Sequence, residues 1–593
     1  MENTKTNTLI GGEFLVKEID HNAIFTPEDF NEEQKMMKDM CDDFIKAEIT
    51  PILPNLDKQE DGLMRTKINK AGEYGLLGAG IPEQYGGMGV DFISTMLLAD
   101  SLGSGHSFAV AYSAHTGIGS LPLLYYGNEE QKQKYLPKLA TGEFAAAYCL
   151  TEPDAGSDAN AGRTKAVLSE DGKHYILNGQ KMWITNGGFA DLLTVFAKID
   201  NDRILSAFLI ESSWEGISFN PEENKMGIKG SSTRQIFFND VKVPVENLLG
   251  RRGEGFRIAL NILHVGRVKL GASVLGAGRA AIGYAVNYAN ERKQFGRYIS
   301  SFGAIKEKLA EQAIKEFVTQ SAVYRASGDI NLVAEENMSN GMEKGPAEID
   351  AISKYAIEAA ILKVFGSEAL DYIVDEAVQI YGGMGFSAEA PVDRSYRDSR
   401  INRIFEGTNE INRMVIIDTL LKFIKRGDYD LFGIGNELYD TIDNLPIASG
   451  EGYYNHYSAH IKNLKNLAIL ILTAAQNKLK KQLGTEQEIM MSLSDMIQNV
   501  YMAESTLLRV QKIEEHKQTE MLPYYKDILD VFIYEATKTI VNRAIDSISS
   551  FADDDYDKLI SATWKLGHLQ RVNIKDARRR IADKLIDENK YCF

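Results

Sequence analysis

The sequence predicts a mainly α-helical protein with a central β-barrel domain, a four-helix bundle after it and an additional helical domain at the C-terminus. Two stretches, residues 27–140 and the chain from 255 onward, repeat apolar residues at helical spacing. The interval between them contains dense turn signals and short β-type runs. We therefore divide the 593 residues into four domains, 1–145, 146–254, 255–426 and 427–593.

The N-terminal domain is predicted to be helical. Thr26 precedes a Pro-Glu-Asp sequence and is typical of a helix cap. Met36, Met40 and Phe44 then follow at helical spacing. Two more apolar helices are expected at about 91–102 and 108–124.

The central domain is predicted from a change of pattern near Phe144. Turn-forming sequences such as EPDAGSD, EDGK, LNGQ and TNGG separate short β-type runs at about 175–177, 192–198, 205–210 and 235–238. Strands do not alternate with helices here, which disfavours a Rossmann sheet. The pattern favours a sandwich or barrel of about a hundred residues, and we assign a barrel.

The rest of the chain is predicted to be helical. Helices near 256–293, 301–333, 348–379 and 409–424 indicate a bundle, with a polar loop at 334–347. The acidic segment 427–454 is expected to be a linker. Beyond it, Ile461, Leu464, Ala468 and Ile471 form an apolar stripe typical of a further helical domain.

Composition excludes several classes of protein. With 44% hydrophobic and 25% charged residues the chain is an ordinary globular one rather than a disordered one. A net charge of −17 argues against non-specific nucleic-acid binding. Cys41, Cys149 and Cys592 lie far apart without a CxxC sequence, so neither a disulfide framework nor a zinc or other metal site is indicated. We expect a cytoplasmic protein, because neither a signal sequence nor a spanning apolar run is evident, and we leave peripheral membrane contact open.

Four short motifs contain residue types suited to cofactor chemistry. They read YCLTEPDAGSD at 148–158, QKMWITNGG at 180–188, QIYGGMGF at 379–386 and RIFEGTNEINR at 403–413. Taken singly and in this order, the four motifs also fit structural roles: an ordinary surface turn, a core Trp before a turn, a helix C-cap and a surface carboxylate. Alternatively, the first motif could bind a ligand: the backbone N–H groups of 148–158 and the hydroxyls of Thr151 and Ser157 could hold an electron-rich ring or a phosphate.

In combination, and together with ERKQFG at 291–296, these motifs resemble the acyl-CoA dehydrogenase family in their order and in their helical–β–helical setting. The resemblance covers about residues 27–425. The helical tail additionally resembles the very-long-chain type, which has a C-terminal extension that shorter tetrameric members lack.

The resemblance implies FAD as cofactor, bound between the β domain and the bundle. Arg292 would reach the pyrophosphate of a neighbouring subunit's FAD, as would Gln379, Ile380, Gly382 and Gly383. Where medium-chain members have His-Gln, this chain has Phe302-Gly303, so any FAD contacts of that pair are missing. The isoalloxazine contacts would come from Tyr148, Leu150, Thr151, Gly156, Ser157, Trp183, Ile184 and Thr185, and the adenosine side from Thr408, Asn409 and Glu410.

The resemblance also implies which residues bind the substrate and act on it. Glu406 matches the catalytic base that removes the α-proton of a fatty acyl-CoA while hydride leaves Cβ. Some members place the base on another helix, but the matching position here is Gly266. Arg267 would bind substrate, and His264 stands where medium-chain members have an Asp. Ser157 and Gly407 are the remaining residues that we assign to substrate.

The helix at 108–121 is expected to determine which acyl chain lengths the substrate pocket accepts. Val110 and Ala114 align with the Gln and Glu that close the acyl pocket of medium-chain members. Smaller apolar residues favour a deeper pocket and long acyl chains.

The favoured activity is therefore long-chain acyl-CoA dehydrogenation in fatty-acid β-oxidation, with electrons passed to electron-transfer flavoprotein. An acyl-CoA oxidase and a non-enzymatic assembly or scaffold protein are the alternatives. Because the tail should fold back over its own core, we expect a homodimer.

Overall fold

In the computed structural model, residues 9–516, 520–568 and 571–593 are described. The N-terminal helices are α1 (Glu32–Phe44), α2 (Leu53–Asp57), α3 (Leu63–Glu73), α4 (Phe92–Leu102), α5 (Ser107–Ser113), α6 (Leu121–Tyr126) and α7 (Glu129–Thr141). The expected helix at 108–124 is divided, because a π-helical segment, Ala114–Gly119, separates α5 from α6. Thr26 caps a short 3₁₀ turn, Pro27–Asp29, and α1 begins only after Asn31, which forms a capping box with Gln34.

The central domain is an open sheet. Its strands are β1 (Ala146–Cys149), β2 (Lys165–Leu168), β3 (His174–Thr185), β4 (Leu192–Ile199), β5 (Ser206–Glu211), β6 (Ile217–Phe219), β7 (Thr233–Pro244) and β8 (Leu248–Leu249). The strand order is β6-β7-β3-β2-β4-β5-β8, with β1 paired in parallel to β4. The predicted strands are present. The barrel is not confirmed, because over the described residues the path from β6 to β8 does not close.

An irregularity in the β3–β7 ladder has a direct effect on the site. The register shifts between Lys181 and Ile184, so that β3 has one residue more than the partner strand. Trp183 lies within this bulge and has a φ of +60°. Bulges of this kind redirect a side chain. Trp183 is correspondingly exposed although it belongs to a central strand.

The bundle follows the sheet. Its helices are α8 (Gly255–Glu291), α9 (Gly303–Ser339), α10 (Lys344–Lys354), α11 (Ala356–Tyr381), α12 (Pro391–Ser399) and α13 (Asn409–Arg426), with a small hairpin of β9 (Lys293–Gln294) and β10 (Arg297–Tyr298) after α8. The expected polar loop is shorter than predicted, since α9 continues to Ser339 and α10 begins at Lys344. Helix α8 is long and apolar enough to cross a membrane by length and composition. It lies at the centre of the bundle, packed against α4, α9 and α11.

The additional domain consists of α14 (Leu431–Asp440), α15 (Tyr453–Leu479), α16 (Gln487–Glu515), α17 (Leu522–Phe551), α18 (Tyr556–Leu566) and α19 (Ile574–Glu588). The interpretation of 427–454 as a linker is therefore wrong in part. Asp430 accepts a hydrogen bond from the Gly433 N–H and caps α14, which buries Leu431 and Leu438.

The additional domain folds back on the bundle, as predicted. Helix α16 packs against α9 and α13, and α19 packs against α9. The interface contains buried ion pairs, among them Arg325–Glu504 at 3.0 Å.

The N-terminal segment 9–30 lies at the same interface. The Gly12 N–H donates to Glu358 Oε1 on α11 at 2.8 Å. Further along, Arg509 on α16 pairs with Glu28 at 2.8 Å, and Lys512 Nζ donates to the Ile24 carbonyl at 2.7 Å. Residues 9–30 are thus bound between the bundle and the additional domain.

Candidate active site

Glu406 lies in a tight turn before α13, which we call the Glu406 turn (residues 405–408). Thr408 caps α13 by accepting a hydrogen bond from the Ile411 N–H. Glu406 and Gly407 both have positive φ angles, +57° and +81°. The carbonyls of this turn receive three side-chain donors. Arg267 Nε donates to Glu406 O at 3.3 Å, Asn412 Nδ2 to Gly407 O at 2.8 Å and Lys363 Nζ to Gly407 O at 2.7 Å.

The Glu406 carboxyl group packs directly over Gly266 of α8. A β-carbon at position 266 would lie 2.7 Å from Glu406 Oε2, so this close approach requires glycine there. Oε2 is buried and has no hydrogen-bond partner within the protein. Burial raises the pKa of Glu406 to about 7, although the positive charges of Arg267 and Lys363 oppose that shift. A carboxylate of this kind is suited to act as a general base near neutral pH.

Arg267 and His264 form a second part of the site. Arg267 Nη1 lies 3.1 Å from His264 Nδ1, one turn earlier on α8. Burial and, to a smaller extent, the Arg267 charge lower the pKa of His264 to about 3, so the imidazole is neutral. Burial also lowers the pKa of Arg267 to about 10, which leaves it cationic. The predicted substrate residues Arg267, Gly407 and His264 are thus adjacent to Glu406.

The β domain forms the opposite wall of the site. Burial and the nearby Glu406 carboxylate raise the pKa of Tyr148, whose hydroxyl is buried without a partner. The loop after β1 is fixed to β3, because the Met182 N–H donates to Thr151 O at 2.9 Å and Lys181 Nζ donates to Leu150 O at 3.2 Å. Trp183 is 54% exposed, whereas its neighbour Ile184 is buried. Thr185 ends the strand, and Gly156 and Ser157 are exposed on the loop.

These walls fit a flat, polar aromatic cofactor. An exposed indole on a bulge offers an apolar plane, and the unpartnered atoms Tyr148 Oη and Glu406 Oε2 offer polar contacts between the two walls. Buried polar atoms normally have hydrogen-bond partners, so an unpartnered pair on facing walls indicates a bound group or water.

The residues predicted to contact a neighbouring subunit's FAD lie at the other end of the bundle. Tyr288 and Tyr381 stack at 4.1 Å and join the C-terminal ends of α8 and α11. Arg292, Gln379, Gly382 and Gly383 are exposed beside them, and Ile380 is buried. Gly266 and Arg292 are separated by about 39 Å of helix at 1.5 Å per residue. These residues therefore do not join Glu406 within one chain. This placement is compatible with the expected contact to a neighbouring subunit's cofactor.

Asn409 and Glu410 differ from each other in their surroundings. The Asn409 side chain is buried and is bound by Lys363, Ser367 and Glu368 at 2.7–3.3 Å. Its side chain is thus occupied by protein contacts. Glu410 is exposed, and hydrogen bonds from its own N–H and from Thr408 lower its pKa.

The sequence interpretation missed Lys363 and Asn412, which bind the Glu406 turn. Lys363 is fully buried on α11. Its signal in the sequence is a single Lys within the apolar run AAILKVFG. A charge is rarely placed on a buried helix face without a partner.

Val110 and Ala114, predicted to set chain length, lie one helical turn apart. Val110 is half-buried and lines a cavity together with Val274 and Ala277 of α8 and Leu370 and Val374 of α11. Ala114 is buried at the first residue of the π-helical segment. The cavity also contains a polar edge, where His106 Nδ1 lies 3.0 Å from Asp398 Oδ2.

Known protein families match almost the whole of this architecture. Models described as the N-terminal, middle and C-terminal domains of acyl-CoA dehydrogenase match residues 31–143, 147–241 and 253–421. A further model with the description acyl-CoA dehydrogenase, C-terminal domain, matches residues 463–565 in the additional domain.

Individual relatives agree with this result. A probable acyl-CoA dehydrogenase of Bacillus subtilis is 42% identical over 98% of both chains. The very long-chain specific acyl-CoA dehydrogenase of Rattus norvegicus is 40% identical over 69% of this chain and 62% of its own. The crystal structure of an acyl-CoA dehydrogenase complexed with FAD from Bacillus anthracis has 43% identity, covers 99% of this chain and 100% of its own, and superposes with a TM-score of 0.95.

Proposed function

The chain belongs to the acyl-CoA dehydrogenase family, and on this premise we propose that it oxidises long-chain fatty acyl-CoA thioesters to trans-2-enoyl-CoA. It is an FAD-dependent oxidoreductase of this family. We propose electron-transfer flavoprotein as the physiological electron acceptor, on the strength of the family resemblance. The cytoplasm is the proposed location.

One observation carries the proposal for the reaction itself. Glu406 Oε2 is buried, unpartnered and directed over Gly266, and its pKa of about 7 allows a neighbouring C–H proton to be removed near neutral pH. FAD, when bound, supplies the acceptor for the hydride that leaves Cβ. In this proposal Tyr148, Leu150, Thr151, Trp183, Ile184 and Thr185 orient the flavin ring.

The Glu406 turn has a second proposed role. As the α-proton leaves, negative charge develops on the thioester oxygen, and fixed donors directed at this oxygen stabilise it. The family resemblance assigns one such donor to the Glu406 N–H. Arg267, Asn412 and Lys363 hold the turn that carries this N–H, because they bind the carbonyls of Glu406 and Gly407.

We propose a preference for long acyl chains because the residues at positions 110 of α5 and 114 of the π-helical segment are small and apolar. Val110 leaves open a cavity whose other walls include Val274, Leu370 and Val374. The Gln and Glu of medium-chain members would fill space at positions 110 and 114. Each additional buried methylene would gain about 0.8 kcal/mol of binding free energy.

Anaerobic titration of the purified, FAD-bound protein with acyl-CoAs of increasing length, from butyryl-CoA to stearoyl-CoA, tests this function. We expect flavin absorbance to bleach with the long-chain substrates at the lowest concentrations. The bleached protein should reoxidise slowly in air and rapidly with electron-transfer flavoprotein. Rapid reoxidation by oxygen would indicate an oxidase instead, and the absence of bleaching with every acyl-CoA would overturn the proposal.

A further inference from the structure

Lys363 has an unusual position for a lysine. It is fully buried on α11, and its ammonium group donates to Gly407 O and to Asn409 Oδ1, both at 2.7 Å. Both acceptors are neutral, although a buried cation is stabilised most by a carboxylate. The side chain thus joins the Glu406 turn to the first residue of α13.

The contacts continue from Asn409 away from the site. Asn409 Nδ2 donates to Glu368 Oε1 at 3.0 Å. Arg413, one turn along α13, donates to both carboxylate oxygens of Glu368, at 2.8 and 3.0 Å. This bidentate geometry is among the stronger hydrogen-bond arrangements in proteins. Helices α11 and α13 are therefore fixed to each other in register.

The last contact reaches the additional domain. Arg413 Nε donates to Asp495 Oδ1 on α16 at 2.7 Å, and the other oxygen of Asp495 lies 2.9 Å from Arg543 Nε on α17. Asn409, Arg413 and Asp495 are buried, and Glu368 is half-buried. A continuous series of charge-assisted hydrogen bonds thus leads from α16 to the Glu406 turn. We call Asp495, Arg413, Glu368, Asn409 and Lys363 the polar chain.

We propose that the polar chain positions the catalytic turn, with Lys363 as its last positioning residue, and that the additional C-terminal domain thereby takes part in building the active site. The inference rests on the proposed role of Glu406 as base. It gives the additional domain a function besides covering a face of the bundle.

The electrostatic consequence concerns every charged group around the turn. Lys363 faces Glu406 together with Arg267 of α8, Glu368 of α11 and Glu410 of α13, and Tyr148 of β1 faces Glu406 from the other side. The Lys363 and Arg267 charges both lower the pKa of Glu406. Loss of Lys363 removes one of them, so the pKa of Glu406 rises and the base ionises at higher pH.

Lys363→Met tests the inner end of the polar chain, because it removes the hydrogen-bond donor and the charge but keeps a side chain of similar length. We expect the rate of flavin reduction at saturating acyl-CoA to fall about ten- to hundredfold, because small displacements of a catalytic group have effects of this size. In the pH profile of the flavin reduction rate, the acidic limb should move to higher pH by about one unit, while the Kd for acyl-CoA changes little. A folded, FAD-bound variant with the wild-type rate and profile would overturn the proposal.

Asp495→Asn tests the outer end, with Asp527→Asn as matched control. Asp527 is also a buried carboxylate of the additional domain, 6% exposed against 5% for Asp495. It pairs with Arg580 of α19 instead of with the bundle. We expect Asp495→Asn to slow flavin reduction about threefold or more and the control to match the wild type, although both lose some thermal stability.

Hydrogen exchange measured by mass spectrometry gives a readout that is independent of turnover. Peptides covering residues 405–413 should exchange faster in Asp495→Asn than in Asp527→Asn. Equal exchange and equal reduction rates in the two variants would overturn the inference, even if Lys363→Met fails to fold. A wild-type protein that no acyl-CoA reduces would instead overturn the proposed function, and the exchange comparison would still decide on the polar chain.

Discussion

Glu406 has a backbone conformation that non-glycine residues adopt at a cost of about 1–2 kcal/mol. Its φ is +57°, and the donors from Arg267 and Asn412 to its carbonyl hold it there. The conformation directs the carboxyl group over Gly266, where a side chain would collide with it. Backbone strain of this kind is retained where the surrounding contacts determine it, and here it brings a carboxylate to the wall of the cleft.

Glu406→Gln should keep FAD and bind acyl-CoA, but lose turnover by about 10²–10⁴-fold or more, because the amide cannot accept the α-proton. Stopped-flow reduction of the flavin measures the loss directly. Glu437→Gln, an exposed carboxylate of α14, provides the control and should behave as the wild type. Full activity of Glu406→Gln would show that another group removes the proton.

The pH dependence of kcat/KM follows from the same residue. Glu406 acts as a base only when ionised, and its pKa is about 7, so kcat/KM should rise about tenfold per pH unit below that value and level off above it. Burial lowers the pKa of Lys363 to about 7 as well, so the apparent value belongs to the pair. Activity that stays constant down to pH 5 would contradict a buried base.

At the scale of elements, the proposed chain-length preference concerns α5 and the π-helical segment that separates it from α6. Val110 of α5 lines a cavity together with residues of α8 and α11. Such insertions in a helix often occur at functional sites. The expected continuous helix at 108–124 could not reveal this, because a π turn has no strong residue signature of its own.

Val110→Gln combined with Ala114→Glu should shift the preference toward shorter acyl chains. The two polar side chains would occupy the space of several methylenes, and each methylene excluded loses about 0.8 kcal/mol of binding. The ratio of kcat/KM for palmitoyl-CoA and octanoyl-CoA measures the shift. Val167→Gln on the exposed face of β2 is the control, and an unchanged ratio in the double variant would mean that positions 110 and 114 do not line the acyl pocket.

The sequence predicts most elements because their signals are local. Helices α4, α8 and α13 and strands β4 and β5 follow from apolar spacing and turn residues. Sheet closure depends on pairing between distant strands, for example β6 with β7 and β2 with β4, and no local pattern fixes it. Helix α14 was missed because its segment is acidic, although the Asp430 cap and the buried Leu431 and Leu438 make it stable.

The site was predictable where residues lie within motifs and not where packing brings them together. Glu406 and Tyr148 belong to recognisable motifs. Lys363 is separated from Gly407 by 44 positions, and only the fold brings its ammonium group to that carbonyl. The same holds for Asp495, which is 82 positions from Arg413.

At the scale of the whole molecule, the additional domain covers α9 and α13 of the bundle. We predict that full-length protein is a homodimer of about 132 kDa, twice 66.0 kDa, because a second dimer would find this face occupied. Light scattering coupled to size exclusion measures the mass. A tetramer in solution would contradict the covering role.

Membrane docking is the rival role for the additional domain, whose two basic sequences are KLKK at 478–481 and RRR at 578–580. A docking helix needs cations that are free to meet anionic lipid. We expect little flotation with phosphatidylserine liposomes at physiological salt, and strong salt-sensitive binding would favour the rival. Three cations of these sequences are already paired, which leaves fewer charges free for lipid: Lys478 with Asp553, Arg578 with Glu307, Glu311 and Glu535, and Arg580 with Asp527.

The N-terminal segment has a consequence for the order in which the protein matures. Gly12 binds Glu358, Glu28 binds Arg509 and the Ile24 carbonyl binds Lys512. During synthesis, Gly12 must wait for a partner 346 residues later, and Glu28 and Ile24 for partners 481 and 488 residues later. Contacts so distant in sequence form slowly, because the entropy of closing the loop is lost before the contact is gained. Segment 9–30 therefore stays without its α16 partners until that helix has been synthesised, and its docking onto the additional domain is a late step of folding.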